Sequence, residues 1–88
     1  MPTISDFFGI RVCMYYTDTV QHKKPHVHVF YGEYEAAIGL DCDMLAGSIP
    51  NKQYRMVAGW ITLHEDDLYA AWIDAVKGIS PRKIQPLR

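Results

Sequence analysis

Residues 26 to 40 read His-Val-His-Val-Phe-Tyr-Gly-Glu-Tyr-Glu-Ala-Ala-Ile-Gly-Leu, two β-prone runs on either side of Gly32-Glu33. Glycine at the first central position is what a two-residue type II′ hairpin requires. The register then follows by arithmetic, since Tyr31 faces Tyr34 and the residue numbers of every opposed pair sum to 65. Val29 lies against Ala36 and Val27 against Ile38, which makes one face apolar throughout. On the other face Phe30 opposes Glu35, His28 opposes Ala37 and His26 opposes Gly39, with Asp41 next in phase. Two imidazoles thus stand over two of the smallest residues available.

An antiparallel sheet with one apolar face needs a cover. Towards the N-terminus, Ile10 to Tyr16 alternates, with Ile10, Val12, Met14 and Tyr16 on one side, and reads as a further strand. Met1 to Gly9 is rich in apolar residues without clean periodicity, and Thr17 to Pro25 is a polar connecting loop holding Asp18, His22, Lys23 and Lys24. Towards the C-terminus, a turn in Asp41 to Gly47 leads into a short strand at Met44 to Ala46. Ser48 and Pro50 then mark a helix start. From there Tyr54, Val57, Ile61, His64, Leu68, Trp72 and Ala75 recur every three or four residues up to Gly78. An unbroken helix of that length would run about 40 Å, too long for a globule whose radius of gyration should be about 12 Å. Thr62-Leu63-His64-Glu65 fits a capping box, so the pattern predicts two helices, or one sharp kink, with the break between Thr62 and Asp66. Asp66 and Asp67 suit a helix N-terminus.

The expected fold is therefore α+β: a meander of three or four antiparallel strands with a two-residue hairpin at 32–33, covered on one face by two C-terminal helices or one kinked helix. The 88 residues allow one domain, 1–88, with 79–88 as an extended tail punctuated by Pro81 and Pro86. The helices should lie across Val27, Val29, Tyr31, Ala36 and Ile38, with Trp60 and Trp72 as core or interface anchors. So short a chain covers only one face of its sheet, which leaves His26 and His28 exposed or on a contact surface.

Composition removes several classes. Hydrophobic residues make up 49% and charged residues 22%, which excludes disorder, collagen-like repeats and a disulfide-dense scaffold. Nine basic against ten acidic side chains give a net charge of −1, so no global positive field favours nucleic acid. The tail residues Arg82, Lys83 and Arg88 read as solubilising charge. Cys13 and Cys42 are too few and too far apart for a disulfide framework and read as reduced, buried thiols. With no apolar run near the roughly 20 residues of a membrane span and no leader-like start, the expectation is a cytoplasmic protein.

Chemistry, if present, belongs to the two imidazoles. His-x-His on a strand sets both rings on one side, roughly 7 Å apart at the backbone. With Asp41 in phase as third ligand, or His22 from the preceding loop or Glu35 on the diagonal, His26 and His28 would suit zinc or another divalent transition metal; exposed polar strand residues holding no cofactor are the simpler expectation. Without metal, His26 and His28 form an acid/base pair of the kind a small hydrolase or ribonuclease uses. Lys23 and Lys24 would then bind substrate beside Tyr15 or Tyr31. His64 lies on the helical stripe and reads as a core histidine. The non-enzymatic reading uses the same face: Phe30 beside His28, with small residues opposite and Glu35 as a further binding residue, makes a shallow aromatic patch for a partner chain or a second copy. An exposed sheet edge, or Ser80 to Leu87, would pair with a partner strand.

Met1-Pro2-Thr3-Ile4-Ser5, Phe8-Gly9-Ile10, Met14-Tyr15-Tyr16, Pro25-His26-Val27-His28-Val29 and Tyr31-Gly32-Glu33-Tyr34 resemble the bacterial domain of unknown function 4160 family. Gly47-Ser48-Ile49-Pro50, Trp60, Leu63-His64, Leu68, Trp72 and Lys83-Ile84-Gln85-Pro86-Leu87 extend the resemblance over nearly the whole chain. Pro-His-x-His-Val is its most recognisable piece. The resemblance implies a short, stand-alone cytoplasmic protein encoded beside another small domain, and hence a two-gene module of the toxin-antitoxin type. The implied partner is the product of the neighbouring gene or a second copy. Only His26 and His28 carry over as family positions. The Thr17 to Lys24 loop is longer and more basic than the family's usual link.

Overall fold

Gly32 reverses the chain at φ +56°, while Glu33 keeps an ordinary negative φ, the combination a type II′ turn demands. It joins β3 (His26–Tyr31) to β4 (Tyr34–Gly39), and the pairing runs His26 with Gly39, Val27 with Ile38, His28 with Ala37, Val29 with Ala36, Phe30 with Glu35 and Tyr31 with Tyr34. The sum-to-65 register holds at every pair. A computed structural model describes residues 3–15 and 24–87, and these form five strands and two helices. β1 (Thr3–Phe7), β2 (Ile10–Cys13) and β5 (Met44–Ser48) complete an antiparallel sheet in chain order, β1-β2-β3-β4-β5. The class is α+β as expected, with one strand more than the alternation marks.

That additional strand is β1. It turns into β2 through Phe8 and Gly9, both at positive φ (+50° and +76°), so that Phe7 pairs with Ile10. This is the backbone of a type I′ turn, whose first position is normally Asn, Asp or Gly. A phenylalanine there hides the turn from inspection. An irregularity between Thr3 and Ser5 also breaks the alternation of β1.

The apolar face is covered as expected. Val12, Val27, Val29, Ala36 and Ile38 share one buried cluster with Val57, Trp60 and Ile61 of α1 (Asn51–Leu63) and with Leu68, Ala71 and Ala75 of α2 (Glu65–Val76). The helix breaks at His64, inside the expected window, and the longest dimension of the molecule is 33 Å, less than an unbroken helix would need. The capping box does not form. Thr62 turns its hydroxyl back onto the Ala58 carbonyl at 2.8 Å, and α2 starts with no side-chain cap. Glu65, Asp66 and Asp67 do occupy its first turn, where the dipole favours them.

The tail is pinned to its own domain. Ile84 donates its amide to the Ile4 carbonyl at 2.7 Å, and the Trp60 indole N–H donates to the Gln85 carbonyl at 2.7 Å. Ile84 is buried against the core. Pairing of Ser80 to Leu87 with a partner strand is thus pre-empted, because its own β1 edge and Trp60 already hold it. Among the described residues no helix is long and apolar enough to cross a membrane.

Candidate functional site

The strand pleat sets His26 and His28 on the face opposite the helical core, beside Cys13 and Ala37, as the register requires. That face is not open. His26 is 1% exposed, and Cys13 and Ala37 are buried too. The His26 ring packs against Trp72 of α2 (centroids 5.1 Å apart) and edge-on against His28 (5.1 Å), which in turn meets Tyr15 edge-on at 4.6 Å. The expectation of an exposed imidazole pair is corrected for His26. The break at His64 redirects α2, and Trp72 reaches the β3 end of the face that a single covering layer would leave bare. Nδ1 of His26 lies 2.9 Å from the Lys24 carbonyl, which can only accept, so Nδ1 carries the proton. His28 is half-buried. Small opposing residues explain the closeness: Ala37 and Gly39 leave room for two rings side by side.

Asp41 does not join the pair. The chain leaves the sheet at Gly39, so the strand phase that would carry Asp41 toward His26 stops two residues short of it. Asp41 folds into an Asx turn, Oδ1 accepting the Asp43 amide at 3.0 Å, while Oδ2 takes the Lys24 ammonium at 2.9 Å. Among the described residues no three His, Cys, Asp or Glu side chains group closely enough to hold a metal ion. Lys24 also bonds Asp43 at 3.0 Å, which makes it a clasp across the β4–β5 turn. Lys23 and His22 lie outside the described residues. Phe30 and Glu35 share the imidazole face but sit at its hairpin end, Phe30 half-buried and Glu35 exposed. His64 is half-buried and packs its ring on Trp60 at 5.8 Å, outside the buried core cluster in which its position suggests a place. Cys13 and Cys42 are both free thiols; Cys13 is buried and Cys42 half-buried.

The clasp has a pH signature. The hydrogen bond from Lys24, then the one from the Asp43 amide, hold the Asp41 carboxyl below the usual carboxylate range. Bonds to Asp41 and then Asp43 raise Lys24 above its ordinary value. A lowered carboxyl contributes stability that is present above its unfolded pKa and lost as pH falls through the folded value; the raised ammonium contributes below its unfolded pKa and loses its contribution as pH rises through the folded one. Both groups are well exposed, so the effect is small and salt-sensitive. Thermal melts of wild type and Lys24→Met should differ by a steady margin at neutral pH that closes on acidification. A margin that persists once Asp41 is protonated contradicts the clasp.

The short strand expected at Met44 to Ala46 forms as β5, and among the described residues it is bonded on one side only, to β4, with Met44, Ala46, Gly47 and Ser48 exposed along it. What the sequence does not reveal is the engagement of Trp72 with His26, legible only once the direction of α2 is known. A family model described as Domain of unknown function (DUF4160) matches residues 9–73 of the 88-residue chain. The chain belongs to that family. The matched DUF4160 span contains His26, His28, all of β5 and Trp72, and ends within α2, before the tail. No curated protein and no solved structure matches.

Proposed function

We propose that this DUF4160 protein works by protein contact, as the interaction component of a two-gene bacterial module of the toxin-antitoxin or regulatory kind, and that its partner adds a strand to β5. The observation that carries this is the asymmetry of the sheet's two edges. The Ile4 carbonyl of β1 already receives Ile84 of the tail, whereas β5 is a five-residue terminal strand with no proline and no charged side chain. Such an edge offers unpaired backbone groups to another chain, and natural sheets normally blunt it with lysine, proline or a bulge. β5 has a register shift opposite Ala37/Ile38, but its Gly47–Ser48 end stays paired and open. Burial of His26 supports contact over hydrolysis, because a general acid or base must reach its substrate.

Co-expression of the tagged chain with the product of the adjacent gene tests this. A complex should form, and Ala46→Lys on the exposed edge should weaken it at least about tenfold, about 1.4 kcal/mol, without shifting the melting temperature. Absence of a complex, or one indifferent to Ala46→Lys, refutes the proposal.

A further inference from the structure

α2 buries Leu68, Ala71 and Ala75, and on its outer side carries a second apolar stripe at helical spacing: Tyr69 (38% exposed), Ile73 (54%) and Val76 (55%). An amphipathic helix at the surface of a monomer is polar on that side. Here the stripe runs between charges of opposite sign, with Glu65, Asp66 and Asp67 in the first turn and Lys77 at the C-cap. We infer that α2 is the contact between two copies of this chain, packed antiparallel about a two-fold axis.

The charge order selects this occupant. In an isologous antiparallel pair each acidic first turn meets the C-terminal end of the other α2. With the axis at the level of residue 71, Tyr69 of each copy lies on Ile73 of the other and Glu65 faces Lys77. The two helix dipoles also oppose favourably. A parallel arrangement would set three acids against three acids, so the stripe fits its own copy in one direction only. A second copy needs no complementary surface to be invented, since the helix supplies both halves. The stripe is distinct from the β5 edge, so this inference stands apart from the partner proposed above.

A twelve-residue helix offers a strip about 18 Å long, which places the interface among small, transient ones. Sedimentation of the full chain should show a monomer–dimer equilibrium with Kd on the order of 10 to 100 µM. Ile73→Glu should abolish the dimer and leave the fold intact, as the side chain is exposed. Glu65→Lys and Lys77→Glu should each weaken it several-fold, and the double reversal should recover it, which a nonspecific apolar contact would not do. Ala46→Lys should leave it untouched. A strict monomer at several hundred micromolar, a dimer insensitive to Ile73→Glu, or no recovery in the double reversal overturns the inference. A dimer broken by Ala46→Lys does so too and would assign self-association to β5.

Discussion

Trp60→Ala is expected to cost about 3–5 kcal/mol, the range for removing a large buried aromatic side chain. Trp60 is fully buried, its ring lies 5.4 Å from that of Phe7, and its N–H holds the Gln85 carbonyl. One residue therefore joins α1, β1 and the tail. A domain of this size has a total stability of about 5–15 kcal/mol, so the variant should melt far lower or fail to fold. Trp60→Phe keeps most of the ring and loses the donor, leaving the Gln85 carbonyl without its partner. It should cost about 1–3 kcal/mol and speed exchange of the Ile84 amide, since that amide's bond to Ile4 sits one residue from the lost anchor. Urea unfolding followed by circular dichroism measures the first effect and hydrogen exchange the second. If Trp60→Ala loses less than about 1 kcal/mol, a value typical of unremarkable substitutions, Trp60 is not the junction described.

What could be read from the residues alone divides along a physical line. The β3–β4 hairpin was legible because a glycine at the right turn position fixes φ locally, and the strand period then propagates the register without tertiary information. The helix break was legible for a different reason, a conflict between the length of the apolar stripe and the size of the globule. Its chemistry was not: Thr62 had a competing acceptor one turn back at Ala58 and took it. β1 was hidden by Phe8, which adopts positive φ only because the surrounding hairpin holds it there. Asp41 misled because phase was extended past Gly39, where the strand ends and a local Asx turn outcompetes it.

The candidate site failed in one instructive respect. Sequence placed His26 and His28 correctly relative to each other and to Ala37 and Gly39, but their exposure depends on the direction α2 takes after His64, a tertiary property with no local signal. With Trp72 against it, the His26 ring is part of the joint between sheet and helix, while His28 stays half-buried. Two surfaces stay exposed among the described residues, the β5 edge and the outer stripe of α2. Both offer contact area, which is in keeping with the contact role we propose.

Gly47→Ala should be the most damaging single-methyl change in the sheet. Gly47 pairs with Ala36 at φ +75°, where an L side chain is strained, and a Cβ there would overlap the Glu35 carbonyl oxygen and crowd the Ala36 Cα at 3.0 Å. These neighbours are backbone and cannot swing aside, so β4 and β5 must separate locally. Left-handed strain and overpacking each cost about 1–3 kcal/mol, or about 2–6 together. Gly59→Ala is the matched control. Gly59 is an exposed helical position in α1 where an added Cβ meets nothing within 4 Å, and the same methyl there should stabilise by up to about 1 kcal/mol. Opposite signs for one chemical change would tie the loss to β5 geometry and not to alanine as such. Because β5 is also the proposed docking edge, Gly47→Ala should lose the neighbouring gene product along with stability, whereas Ala46→Lys loses the partner alone. Equal melting temperatures for wild type and Gly47→Ala would mean that β5 does not hold this register.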